Sequence, residues 1–179
     1  MKIKNFEFKA KVEELEKYQD QILKLNPIDF GTEHQIETYF NAPKGRLKLR
    51  EIKGKESKLI DYHRENTEGS KKSDVLLYKH SMNDTLKQIL SNQMGVKVIV
   101  DKKRKIYGID NVKFHFDTVE DLGTFIEVEA IDETEKFNLE ELKKQCDFYY
   151  DYFNIHLYQV EKLSYSDLLI DKLEKSRNA

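Results

Sequence analysis

Glu7 and Lys9, Lys48 and Arg50, Lys102 and Arg104, His115 and Asp117, and Glu127 and Glu129 are pairs set two positions apart, each in a segment that alternates apolar and charged residues. Residues two apart on a strand share a face, so each pair projects to one side of its segment, and Lys113 joins His115 and Asp117. The pairs are sorted by sign. "RLKLRE" (46–51) puts Arg46, Lys48 and Arg50 on one side, whereas "TFIEVEA" puts Glu127 and Glu129 there. Carboxylate oxygens suit Mg²⁺ or Mn²⁺, and Lys and Arg suit phosphate oxygens. Together they could position and neutralise a transferring phosphoryl group. The plainer reading is a solvated sheet face. Such faces usually mix signs or set opposites across from each other, and the sorting argues against that. With no anion bound, the cations of such a row are expected to repel one another. Arg46, next to Gly45, is expected at the mouth of the site.

The elements that must position these residues follow from periodicity. Alternation predicts strands over 3–12, 35–40, 45–52, 58–64, 73–78, 96–107, 111–119 and 124–131. Helical spacing predicts helices over 13–25, ending before Asn26-Pro27, over 83–94, ending at Gly95, and after the cap residue Asn138 with Glu141 at its third position. Residues 66–72 have no apolar side chain and are expected to form a mobile loop, ordered by a bound triphosphate through Lys72. About eight strands can close into a barrel. The expected fold is α+β: a closed eight-stranded antiparallel β-barrel with a charged interior and amphipathic helices packed outside.

Composition removes several alternatives. The chain has 179 residues, a net charge of −2, 36% charged residues and one cysteine, Cys146. That length suits a single domain, with a core over about 3–170 and a polar tail over 171–179. The charge balance gives no general pull toward nucleic acid or acidic membranes. One cysteine excludes an internal disulfide and a four-thiolate zinc site. No signal-peptide run or membrane-length apolar stretch is present, and a cytoplasmic location is expected. The histidines lack HExxH spacing, and no Walker-type glycine loop occurs. Cys146 falls on a helical apolar stripe and reads as core. The cluster Tyr149, Tyr150, Tyr152 and Phe153 reads as helix packing. In the basic run 102–105, Lys103 and Lys105 face away from Lys102 and Arg104, so the run is not one patch.

Five blocks, "NFEFKAK", "QIETYFNAPKGRLKLRE", "VDKKRKIYGIDNVKFHFD", "LGTFIEVEA" and "SYSDLL", occur in this order between Asn5 and Leu169. Together they resemble the CYTH superfamily, the triphosphate tunnel metalloenzymes, and are most similar to its class IV adenylate cyclase-like branch. The resemblance implies a barrel whose tunnel binds a triphosphate with Mg²⁺ or Mn²⁺. It implies metal binding by Glu7, Glu127 and Glu129, with Asp117 counted beside them. It implies phosphate binding by Lys9, Lys48, Arg50, Arg64, Lys102 and Arg104, with Lys72 and Lys113 added from their positions. Glu7, Lys9 and His115 are the expected catalytic groups. The first glutamate of the family's ExExK strand is Asn5 here, which leaves a second metal position open. Three functions follow from the resemblance: ATP to cyclic AMP and pyrophosphate, hydrolysis of ATP, thiamine triphosphate or tripolyphosphate, and non-catalytic polyphosphate binding. The implied partner is the triphosphate, not nucleic acid or membrane, and a homodimer is compatible with this reading.

Overall fold

The computed structural model describes residues 4–64, 73–81, 83–132, 134 and 136–178. The strands are β1 (Lys4–Lys11), β2 (Ile28–Phe40), β3 (Arg46–Ile52), β4 (Ser57–Arg64), β5 (Ser73–His80), β6 (Val96–Ile109), β7 (Val112–Val119) and β8 (Gly123–Asp132). The helices among the described residues are α1 (Leu15–Leu23), α2 (Asp84–Met94), α3 (Leu139–Tyr152) and α4 (Tyr165–Arg177). β2 starts seven residues earlier than its apolar alternation suggests. Its first half pairs with β6, from Ile28↔Gly108 to Gln35↔Lys102, so the partner strand rather than local pattern extends it.

The strands form one antiparallel sheet in the order β1-β8-β7-β6-β2-β3-β4-β5. Among the described residues the expected closure is not made. β1 and β5 are the two edges of an open sheet, and the physical reason lies at β1. Part of its free edge is taken by the segment after α3: Ala10 bridges to Val160, and Glu161 N–H donates to Lys9 O at 2.8 Å. Backbone groups satisfied there are not available to β5.

The apolar face of β1, β8 and β7 is covered by α1 and α3. Phe6, Ala10, Phe114, Phe116, Ile126 and Val128 pack there with Leu15, Ile22, Leu142, Cys146 and Phe153. Phe114 is fully buried and meets Tyr149 edge-on at 4.6 Å and Phe153 at 6.2 Å, so the aromatic cluster of α3 is packing. Cys146 is buried in the same core, and burial pushes its thiol up to about 12, far from a reactive thiolate. The cap predicted at Asn138 is present as a reciprocal capping box with Glu141, and Gly95 ends α2 at φ 72°, a left-handed value that glycine adopts without strain.

Helices were expected only outside the charged face, and α4 departs from this. Tyr165 and Leu169 pack with Tyr39, Val98, Val100, Val119 and Phe125, residues whose register places them on the charged side. One end of that face is therefore apolar, and α4 buries it. The stretch read as a polar tail is helical through Arg177.

Candidate functional site

Register assembles the site. In β1 and β8, Glu7 lies opposite Glu129 and Lys9 opposite Glu127. Across the next pair His115 faces Glu127 and Lys113 faces Glu129. Arg104 faces Asp117, Lys102 lies opposite Gln35, and Glu37 and Tyr39 of β2 face Arg50 and Lys48 of β3. Directly paired residues point to the same side of a sheet, so one face carries all of them. Carboxylates concentrate on β1, β8 and β7, cations on β3 and β6. The expectation that the Lys48–Arg50 row looks at Glu7, Glu127 and Glu129 across a closed wall is corrected: both groups share one face of one open sheet.

Within the cation-rich half the cations oppose one another, Arg50 and Lys102 adding to burial in lowering Lys48 and Arg104 adding to it in lowering Lys102, but a buried carboxylate among them offsets the repulsion. Glu37, 2% exposed, sits among its members. Lys48 Nζ donates to Glu37 Oε1 at 2.9 Å, Arg50 donates to the same oxygen, and Lys102 Nζ lies 3.5 Å from Oε2. Tyr39 OH donates to Oε2 at 3.4 Å and accepts from Lys48 at 3.2 Å. Burial disfavours the Glu37 carboxylate, but Arg50, Lys102 and Lys48 outweigh it and hold the group well below the usual range. Burial in turn lowers Lys48 to about 7, against the pull of Glu37. Burial and the neighbouring Arg104 lower Lys102 to about 8.

Arg104 joins the halves. It grips Asp117 with two bonds, Nε to Oδ1 at 2.7 Å and Nη2 to Oδ2 at 2.6 Å, and lies 3.5 Å from Glu127 Oε1. Tyr165 OH donates to Asp117 Oδ2 at 2.7 Å. Asp117, expected among metal ligands, therefore has both oxygens bound by protein donors.

In the carboxylate half, ligand atoms of His115, Glu127 and Glu129 lie within 4.8 Å of one another, a group able to hold a metal ion. Two carboxylates and an imidazole suit Mn²⁺, and the oxygens alone suit Mg²⁺. Burial and the facing Glu7 raise the Glu129 carboxyl above its usual value, a destabilisation that a cation would relieve. Asn5 Nδ2 donates to Glu129 Oε1 at 2.8 Å, so Asn5 orients a carboxylate. Burial opposes ionisation of Glu127 as well, yet Arg104 and His115 hold it well below the usual range. An ionised Glu127 can only accept, so the 3.0 Å contact with His115 Nδ1 places the imidazole hydrogen on Nδ1 and leaves Nε2 as the proton acceptor of the neutral ring.

The remaining expected residues are placed as follows. Lys9 is buried, donates to Leu163 O from Nζ, and lies over the Tyr165 ring. Lys113 is exposed at the end of the same face. Arg64 ends β4, paired with Ser73 in the backbone; its side chain, residue Lys72 and the loop expected over 66–72 lie outside what is described. Arg46 is at the rim, donating to Ser164 Oγ and Asp167 Oδ2, each at 2.9 Å. Glu37, Tyr39 and Tyr165 were not singled out by the sequence. The signal for Tyr165 was there in Ser164-Tyr165-Ser166-Asp167, a helix start in which Ser164 accepts from Asp167 N–H.

No curated protein matches the chain significantly. Among solved structures, the PH1012 protein of Pyrococcus horikoshii OT3 is 25% identical, with a TM-score of 0.78 over 92% of this chain and 98% of its own. An adenylate cyclase candidate from Vibrio parahaemolyticus is 17% identical, with a TM-score of 0.77 over 93% and 97%. The adenylyl cyclase candidate HpAC1 from Hippeastrum, which has a dominant triphosphatase activity, is 14% identical, with a TM-score of 0.63 over 96% of each chain. At these last two identities the likeness speaks for the fold alone. The CYTH domain model matches residues 4–157, most of the chain and all eight strands, and the chain accordingly belongs to the CYTH domain family.

Proposed function

We propose that this protein is a divalent-metal-dependent enzyme acting on a triphosphate, most closely of the class IV adenylate cyclase kind. The observation that carries the reading is the division of one sheet face into a cation cluster on β3 and β6 and a carboxylate cluster on β1 and β8, joined by Arg104. Lys48, Arg50 and Lys102 would bind the phosphate chain, and Lys9 would neutralise its metal-proximal end. Glu7, Glu127 and Glu129 would hold Mg²⁺ or Mn²⁺. When bound, that ion supplies charge neutralisation at the phosphate oxygens. In the cyclase reaction the ribose 3′-oxygen bonds to the α-phosphorus, the bond from that phosphorus to the bridging oxygen breaks, and pyrophosphate leaves. The 3′-hydroxyl proton goes to His115 Nε2, with Nδ1–H held by Glu127. Hydrolysis of the terminal phosphoryl group is the second reading. It needs the same groups with water as nucleophile, and the activity of HpAC1 on the same fold favours keeping it.

Incubation with ATP, thiamine triphosphate and tripolyphosphate, each with Mg²⁺ or Mn²⁺, followed by product identification, tests the proposal. Cyclic AMP with pyrophosphate supports the first reading, and orthophosphate release supports the second. Glu129→Gln is expected to abolish turnover while tripolyphosphate still binds without metal. Wild-type turnover in that variant at saturating Mg²⁺ would remove the metal assignment.

A further inference from the structure

The reading above needs cations on β3 and β6, but it gives no part to the carboxylate buried among them. Glu37 is held from separate strands: Lys48 and Arg50 come from β3, Lys102 from β6 and the Tyr39 hydroxyl from β2. Its two oxygens take the donors that would otherwise meet two oxygens of a phosphate. A carboxylate edge and a phosphate edge both accept bidentate charge-assisted hydrogen bonds, so the protein carries its own stand-in for the ligand. We propose that Glu37 is an internal anion that holds Lys48, Arg50 and Lys102 in the ligand-free protein and yields them to a phosphate group, so that it selects polyphosphate chains over simple anions.

The selection follows from competition. An anion entering this half must displace a carboxylate that already satisfies three cations and is tethered to them. Orthophosphate or sulfate gains little from that exchange. A triphosphate can compensate for it with further contacts at Arg104, Lys9 and the metal-binding carboxylates, which one phosphate group cannot reach together. The same competition favours release of short products, because Glu37 returns to its cations once the chain is cleaved. The groups facing Glu37 are Tyr39 on its own strand, Lys48 and Arg50 on β3, and Lys102 on β6, with Arg104 acting on Lys102 and the Tyr62 ring of β4 behind Lys48. Against burial, Glu37 is one of the groups that hold Lys48 up at about 7, so removing it lowers the amine further, and the comparison is best made below that pH with proton uptake on binding read from a second buffer.

This inference rests on triphosphate binding, and the experiment separates the two. Calorimetric titration at pH 6.5, without metal and at fixed ionic strength, compares wild type with Glu37→Gln for tripolyphosphate, pyrophosphate and orthophosphate. The variant should bind orthophosphate and pyrophosphate about tenfold more tightly, a gain of about 1.4 kcal/mol. Tripolyphosphate displaces the same carboxylate and should gain by a similar factor, while orthophosphate passes from undetectable to measurable binding, so that simple anions are no longer excluded. The ligand-free melting temperature should fall while the ligand-induced rise grows, a pairing that a purely structural role would not give. Unchanged or weaker binding of all three anions by a folded variant overturns the inference and leaves the triphosphate reading standing. If wild type binds no tripolyphosphate, both fall. If the variant does not fold, the ¹³C carboxylate resonance of Glu37 in wild type decides, assigned with Glu37→Asp: a shift on adding tripolyphosphate supports displacement, and an unmoved resonance under saturation overturns it.

Discussion

Asp117 and Arg104 show what a single buried pair does to this site. Asp117 is 0% exposed, and its ionised form depends on Arg104 from the neighbouring strand. Arg104→Met should therefore leave a buried carboxylate with Tyr165 as its remaining close donor. A loss of about 3–5 kcal/mol in urea denaturation is expected, since breaking such a pair strands a charge; a loss of under about 1 kcal/mol would mean that water reaches the group. Lys48 makes a pH prediction with two opposite signs. Its folded value of about 7 lies below its ordinary 10.5, so between these the unfolded chain holds more protons, and the Lys48 contribution to stability rises with pH across that window. Phosphate binding needs the charged amine and should weaken as pH rises through the same range. Titration at pH 8 in two buffers of different ionisation heat should show proton uptake with tripolyphosphate, and none would contradict the lysine's place in the site. Much of this chemistry was legible in the sequence, because alternation puts Glu7, Lys9, Lys48, Arg50, Lys102, Arg104, His115, Glu127 and Glu129 on common faces. Glu37 was not. One acid in "QIETYF" has no local charge pattern, and only the register of β2 against β3 brings it to Lys48 and Arg50.

Among the elements, the strands could be read and the closing contacts could not. Hairpins such as β6–β7 and β7–β8 connect neighbours in sequence, and period-two patterning specifies them. What covers the edge of β1 is settled by Val160 and Glu161, about 150 residues away. α4 was missed because its apolar residues are few and its partners, Val98, Val100, Val119 and Phe125, interrupt a face that otherwise reads as charged. Its attachment is specific. Tyr165→Phe removes one hydrogen bond to an ionised carboxylate and should cost about 1.5–3 kcal/mol. Leu169→Ala opens a cavity at a buried position and should cost about 2–5 kcal/mol. Chemical denaturation checks both. The phenylalanine variant keeps the ring that lies 4.5 Å from Lys9 Nζ and 5.3 Å from Lys102 Nζ, so it should alter tripolyphosphate affinity only through the Asp117–Arg104 pair that the lost hydroxyl touched, whereas the alanine variant should affect stability alone.

At the scale of the molecule, the sheet has, among the described residues, one guarded edge and one open one. β5 exposes Leu76 at 73% and Tyr78 at 62%, while β7 and β8 lie inside the sheet with helices over their apolar face. Amide hydrogen exchange should reflect this, with β5 exchanging through local opening and β7 approaching the global limit; equal protection of the two would show that β5 has a partner in solution. The guarded edge also bears on how the chain is made. β1 precedes the other strands of this sheet in the chain, yet among the described residues it pairs with β8 and the bridge at Val160. Asn5 and its partner Glu129 are 124 residues apart. At roughly 5–20 residues per second, a ribosome leaves β1 waiting about 6–25 s for its neighbour. During that interval Phe6 and Phe8 have no sheet to join, and such non-local pairing is slow to form once the partner emerges. Until β8 is made, β1 therefore carries unpartnered apolar side chains of the kind that chaperones bind.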